Sequence, residues 1–167
     1  RGFQGFSDTG SAIVANLGSV VNTWQGTDPT NQNFWDVATT ANWTNSADTV
    51  FQQGDAVIFD DTASQFGVSR QENITVSDIT FANATNAYTL TAQTGLETLT
   101  IDGIVNANNA AAVAINGPVT VTNGLNLEGT GDLSFNGNIT GTGGIQKNGT
   151  GTTTLSAQPG YSGNVNV

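Results

Sequence analysis

Between residues 79 and 158 the chain repeats itself every twenty positions, and this period restricts the architectures open to it more than any other feature. The blocks read ITFANATNAYTLTAQTGLET, LTIDGIVNANNAAAVAINGP, VTVTNGLNLEGTGDLSFNGN and ITGTGGIQKNGTGTTTLSAQ, followed by the partial PGYSGNVNV. Aligned on that period, the first column holds Ile79, Leu99, Val119 and Ile139, and the second holds Thr80, Thr100, Thr120 and Thr140. Phe81, Ile101, Val121, Gly141 and Tyr161 form the third column, and Val105, Leu125, Ile145 and Val165 the seventh. Ile115, Phe135 and Leu155 form the seventeenth, with Val113 and Leu133 two residues earlier. Each block thus carries short apolar-x-apolar pieces separated by Gly or Asn, the pattern of strands with one inward face joined by sharp corners. The spacing predicts an all-β chain, a β-solenoid (β-helix) with about 20-residue rungs, three short strands to a rung, and an N-terminal capping segment. Helical periodicity is absent from the blocks, and Gly recurs inside each of them.

Such a fold explains how a stretch as thin as GIQKNGTGTTTLS can be structured. Each rung needs only a few inward side chains, because like positions stack and backbone ladders about 4.8 Å apart satisfy the peptide groups. The Thr column reads as a β-propensity ladder; an ice- or glycan-facing array would need more than one Thr per rung.

Upstream the period fails. Ile74 and Val76 fall out of phase, and the reading places a boundary near 60–72, separating a Trp-rich head, 1–67, from repeats at 68–167. Within the head, Trp24, Phe34, Trp35, Trp43, Phe51 and Phe59 are predicted to shield the first rung; the alternative is a sugar platform built on Trp24, Trp35 and Trp43. SAIVANLGSVV places Ile13, Val14, Leu17, Val20 and Val21 at helical spacing, so 1–21 reads either as a helix over the solenoid end or as a strand donated to a neighbour's open edge.

Composition narrows the chemistry. Three Lys+Arg against 13 Asp+Glu, a formal net charge of -10, leave almost no means of neutralising phosphates, so nucleic acid and anionic membrane are poor partners. No apolar run approaches the roughly 20 residues of a spanning helix. Without Cys or His the chain has no thiolate or imidazole for a zinc site or a familiar nucleophilic triad, so an enzyme and a cofactor are not expected. Asp55, Asp60 and Asp61 are the densest acidic cluster; they read as turn residues, with calcium as the functional exception. The absence of Met, including at position 1, fits a chain whose secretory leader has been removed, or a fragment.

At 141–167 the residues Gly141, Gly143, Gly144, Ile145, Lys147, Gly149, Gly151, Thr152, Leu155, Ser156, Tyr161, Ser162, Gly163 and Val167 follow a recurring order: Gly-x-Gly-Gly-aliphatic, x-Lys-x-Gly-x-Gly-Thr, Leu-Ser, Tyr-Ser-Gly and a closing Val. In this the chain resembles the autotransporter-associated β-strand repeat, also called the passenger-associated transport repeat. The likeness covers about a sixth of the chain, and Trp24 to Asp61 is more distantly similar to the Trp-rich lead-in of such repeats. The resemblance implies an exported β-helical protein, secreted or held at the surface of a Gram-negative-type bacterium after signal-peptide removal. It brings no catalytic residue, and its glycines and Lys147 read as structural.

The chain stops at Val165-Asn166-Val167, part-way round a turn, with strand edges that native proteins normally cover. The expectation is a non-enzymatic extracellular subunit that joins other copies head to tail in a filament, through Ile13, Val14, Leu17, Val20 and Val21 at one end and Val165 and Val167 at the other. The alternative is a passenger-type stalk or adhesin fragment that binds surface carbohydrate through its tryptophans.

Overall fold

The computed structural model describes residues 3–8, 13–17, 20–45, 48–156 and 160–167, with 3–8 and 13–17 described in backbone only. All its regular elements are strands. β1 (Phe3–Asp8) and β2 (Ile13–Leu17) form an antiparallel two-stranded sheet of their own. β3 (Val21–Trp24), β4 (Phe34–Trp35), β5 (Trp43–Thr44) and β6 (Ala56–Phe59) follow. Regular turns come next: β7 (Gly67–Arg70), β8 (Ile74–Val76) and β9 (Ile79–Phe81); β10 (Tyr88–Ala92), β11 (Leu99–Ile101) and β12 (Ile104–Ala107); β13 (Val113–Ile115), β14 (Val119–Thr120) and β15 (Gly124–Gly129); β16 (Leu133–Phe135), β17 (Ile139–Gly141) and β18 (Gly144–Lys147); β19 (Thr153–Leu155), β20 (Gly160–Tyr161) and β21 (Val165–Asn166).

These strands stack into three parallel faces of a β-solenoid. The first face runs β4-β7-β10-β13-β16-β19, the second β8-β11-β14-β17-β20, and the third β3-β6-β9-β12-β15-β18-β21, with β5 added antiparallel on β3. One strand per turn in the five-stranded second face corresponds to five complete turns. Along the strands burial alternates, as in Ile79–Phe81 and Val113–Ile115, so one side chain in two enters a continuous apolar core. Each Ile, Val, Leu or Phe so buried contributes about 1.5–3 kcal/mol relative to exposure.

The predicted class is therefore observed, while the register needs correction upstream. Leu99, Val119 and Ile139 stack as expected, as do Ile115, Phe135 and Leu155. Ile79, however, belongs to the third face, between Val57 and Val105, and the residue stacked on Leu99 is Ile74. Val105 likewise pairs with Leu127 and not with Leu125. The outward Thr ladder consequently runs Thr75, Thr100, Thr120, Thr140, without Thr80, and the hydroxyls of Thr120 and Thr140 meet at 3.1 Å. The cause is corner length. Residues 82–87 and 93–98 enlarge the turn that follows Ile79, and the corner 121–123 is longer than its counterpart 102–103, so a twenty-residue ruler slides off phase at both places.

Two boundaries also differ from the sequence reading. The division between 67 and 68 falls inside β7, and the first and third faces run across it without interruption. The helix considered for 11–21 is not formed: Ile13–Leu17 is a strand paired with Phe3–Asp8, and Val21–Trp24 is a strand of the third face. Its β-branched Ile13 and Val14, followed by Gly18, favour extended structure once a partner strand is present.

Candidate assembly site at the open end of the solenoid

The two ends of the solenoid are built differently. At the N-terminal end the core is closed by Trp24, Trp35, Trp43, Phe51 and Phe59, all buried. Trp24 packs edge-on against Trp43 with ring centroids 5.0 Å apart, Trp35 against Phe51 at 5.4 Å, and Phe59 stacks on Phe81 of the next turn at 5.4 Å. The indole N–H of Trp24 donates to the Gln65 carbonyl at 2.7 Å. These tryptophans fill the first turns from inside and offer no ring face to a sugar, which corrects the glycan platform on Trp24, Trp35 and Trp43. Beside them, wholly buried Asn42 donates to the carbonyls of Asn31 and Phe34 and accepts the Asp28 N–H, holding the loop between β3 and β4 across the end.

The edge of the second face is sealed by a side chain that imitates a peptide unit. Gln53 Nε2 donates to the Asn73 carbonyl at 2.8 Å, while Gln53 Oε1 accepts the Thr75 N–H at 2.6 Å. Gly54 N then donates to the Thr75 carbonyl and Ser77 N to the Asp55 carbonyl, so residues 53–55 run along β8 and satisfy its outer edge.

β19, β20 and β21 are each the last strand of their face. Above them lies an open cavity of about 290 Å³ whose apolar lining is Leu127, Ile145, Leu155, Val165 and Val167, with Lys147 and Thr153 among the remainder. Val165 is 49% exposed and Val167 is fully exposed, although earlier turns bury Val105 and Leu125 in the same face. Lys147 occupies the column that holds Val105 and Leu127 in the preceding turns, and its ammonium donates to the Gly149 carbonyl.

The carboxylates bind backbone amides. Asp55, buried, accepts from Asn22 Nδ2 at 2.8 Å and from the Gln52 N–H at 3.0 Å. Asp60 accepts the Thr62 N–H, and Asp61 accepts the N–H groups of Ala84, Thr85 and Asn86 in the next turn. Donation from Asn86 and Ala84 holds the Asp61 carboxyl below the ordinary carboxylate range. Asp78, Asp102 and Asp132 repeat the device, each taking an N–H of the following turn from Ile104, Thr122 and Thr152 respectively. Among the described residues no group of three or more such side chains is placed to hold a metal ion, which corrects the calcium candidate Asp55, Asp60 and Asp61.

Two features were not singled out from the sequence. Arg70 is fully buried, with Nη2 donating to the carbonyls of Glu97 and Asn116; burial pulls its pKa down to about 10, a shift opposed by the Glu97 carboxylate, so it stays cationic at neutral pH. Asn83 and Asn109 stack at one corner in successive turns and donate to carbonyls of their neighbours. The recurrence of Asn after the third-face strand was the legible signal for the second.

Of the residues expected at an assembly interface, Val165 and Val167 line the open end, Val21 is exposed on the outer side of β3, and Val20 precedes it. Ile13, Val14 and Leu17 lie in β2, on a separate sheet. Among the described residues no helix is long and apolar enough to cross a membrane. Compared with protein-family models, with curated proteins and with solved structures, the chain finds no match.

Proposed function

We propose that the chain is a non-enzymatic structural subunit, exported to the cell surface or beyond, that associates end to end with copies of itself. The observation that supports this most directly is the way the solenoid grows, strand on strand along three parallel faces. The first turns are closed by buried aromatic rings and by Gln53 on the edge of β8, and every later turn adds one strand to each of three parallel faces. Stacked parallel strands accept further strands at an open edge.

The likeness to the autotransporter-associated repeat agrees with this reading, because its residues act here as architecture. Gly141 has φ +111°, and a Cβ there would sit 2.0 Å from the Val121 carbonyl oxygen. Tyr161 donates its hydroxyl to the Gly143 carbonyl at 2.6 Å. Burial of the three tryptophans leaves the carbohydrate-binding alternative without the residues it relied on.

Sedimentation velocity and negative-stain microscopy of the purified 167-residue chain over a range of concentrations test the proposal. The expected result is a mass that grows with concentration and particles that lengthen without thickening. A monomer at every concentration overturns it.

A further inference from the structure

Asn-Gly occurs four times in the chain, at 116–117, 123–124, 136–137 and 148–149, and all four pairs lie at corners of the solenoid or where a strand begins or ends. The same intramolecular reaction is open to each. The glycine N–H loses its proton, its nitrogen bonds to the asparagine Cγ, and the Cγ–Nδ2 bond breaks with ammonia as the leaving group. Water then opens the cyclic imide at either carbonyl, leaving aspartate or the isomer whose main chain runs through Cγ. We infer that Asn116, at the corner between β13 and β14, is the place where this self-modification happens in the folded protein.

Negative charge develops at two oxygens during the reaction, and at Asn116 both already accept a hydrogen bond. Loss of the Gly117 proton spreads charge onto the Asn116 carbonyl oxygen, which receives Nη2 of the buried Arg70 at 2.9 Å. Attack on Cγ places charge on Asn116 Oδ1, which receives Nδ2 of Asn136, from the next turn, at 2.9 Å. Donors aimed in advance at the atoms where charge appears lower the barrier with no reorganisation at the moment of reaction. Packing also fixes glycine as the attacking residue. Gly117 has φ +89°, and a Cβ there would lie 2.6 Å from Ala92 Cβ and 2.9 Å from Arg70 Nη2. Both residues of the pair are half-buried, so water reaches the imide.

The other three pairs are held against the same step. The Gly149 N–H donates to the Leu127 carbonyl at 3.0 Å and Asn148 Nδ2 to Glu128 Oε1 at 2.7 Å, which engages both the nucleophile and the leaving group. Asn123 gives its N–H and its Nδ2 to the Asp102 carboxylate, whose charge opposes a second negative charge beside it. At Asn136 the leaving nitrogen is itself the donor to Asn116.

The test is incubation of the purified chain at mildly alkaline pH, folded and in urea, followed by peptide mass mapping that separates amide, acid and isomer. In the folded chain Asn116 should convert at least about tenfold faster than any of the other three, the gain that one charge-assisted hydrogen bond gives a transition state. In urea, where the donors are dispersed, the four rates should converge. Asn136→Ala, at an exposed position, should slow conversion of Asn116 about fivefold while circular dichroism stays that of the wild type. The assignment is overturned if Asn116 converts no faster than the others in the folded chain, if it leads by the same margin in urea, or if Asn136→Ala leaves its rate unchanged.

Discussion

Asp61 receives N–H groups from three consecutive residues of the next turn, and Asp78, Asp102 and Asp132 repeat the arrangement along the rod. Each carboxylate binds amides that a corner would otherwise leave to water, so the acidic composition serves the fold. This has a pH consequence. The Asp61 carboxyl titrates below its ordinary value of 3.8 because Asn86 and Ala84 donate to its ionised form; Asn31 acts likewise on Asp28, and the Thr94 hydroxyl on Glu97. A folded-state pKa depressed below the unfolded one adds stability at pH values above the unfolded pKa, and that stability is lost as pH falls through the folded one. Thermal melts should therefore hold steady from neutrality to about pH 4.5 and decline below about pH 4. Asp61→Asn should lower Tm at neutral pH and flatten the acid decline. An unchanged acid slope in that variant would deny Asp61 this role. The sequence identified Asp60 and Asp61 as turn residues; Asp60 serves the nearby Thr62 amide, but the amides that Asp61 serves lie about one turn later, a distance that no local pattern in the chain displays.

At the scale of the strand, the edge of β8 depends on Gln53, whose amide both donates and accepts in the manner of a backbone unit. Gln53→Ala should cost about 0.5–1.5 kcal/mol per lost bond and make the Thr75 amide exchange rapidly with solvent. Gln53→Glu keeps the acceptor for Thr75 and loses the donor to Asn73, so it should retain protection at Thr75. Hydrogen exchange followed residue by residue measures both, and protection at Thr75 that survives Gln53→Ala would mean that the edge is closed by other groups. Nothing in the sequence marks Gln53 apart from the Gln beside it, since its role comes from a chain segment folding back along a strand some twenty residues on. What the sequence did show was the stacking of equal turns: from Leu99 to Ile139, and from Ile115 to Leu155, columns and registers coincide. It failed where turns are unequal. Ile79 matches Leu99 in residue type, yet extra corner residues carry it to another face, because apolar alternation reports that a strand exists and not which face receives it. The hairpin failed for a related reason: Ile13, Val14 and Leu17 satisfy helical spacing, and only pairing with β1 decides for strand.

For the whole molecule, the uneven distribution of charge sets how copies can meet. A formal net charge of -10 on 167 residues opposes any approach between two chains, whereas the strand hydrogen bonds and apolar contacts by which turns stack in the solenoid do not depend on charge. Screening weakens the first and leaves the second nearly intact. The Debye length falls from about 30 Å at 0.01 M salt to about 10 Å at 0.1 M and about 3 Å at 1 M, so repulsion between rods of this length is strong only at the lowest of these. Self-association should accordingly strengthen as sodium chloride rises from about 0.01 M to about 0.3 M, then level off, with sedimentation velocity as the measure. Truncating Lys147, one of only three cations in the chain, should shift the whole curve toward higher salt, because it raises the net negative charge. The opposite trend, association that weakens steadily with salt, would mean that ion pairs hold the copies together. Lys147, one of the three cations, would then serve as an anchor, and strand and apolar contacts would no longer be what holds one copy to the next.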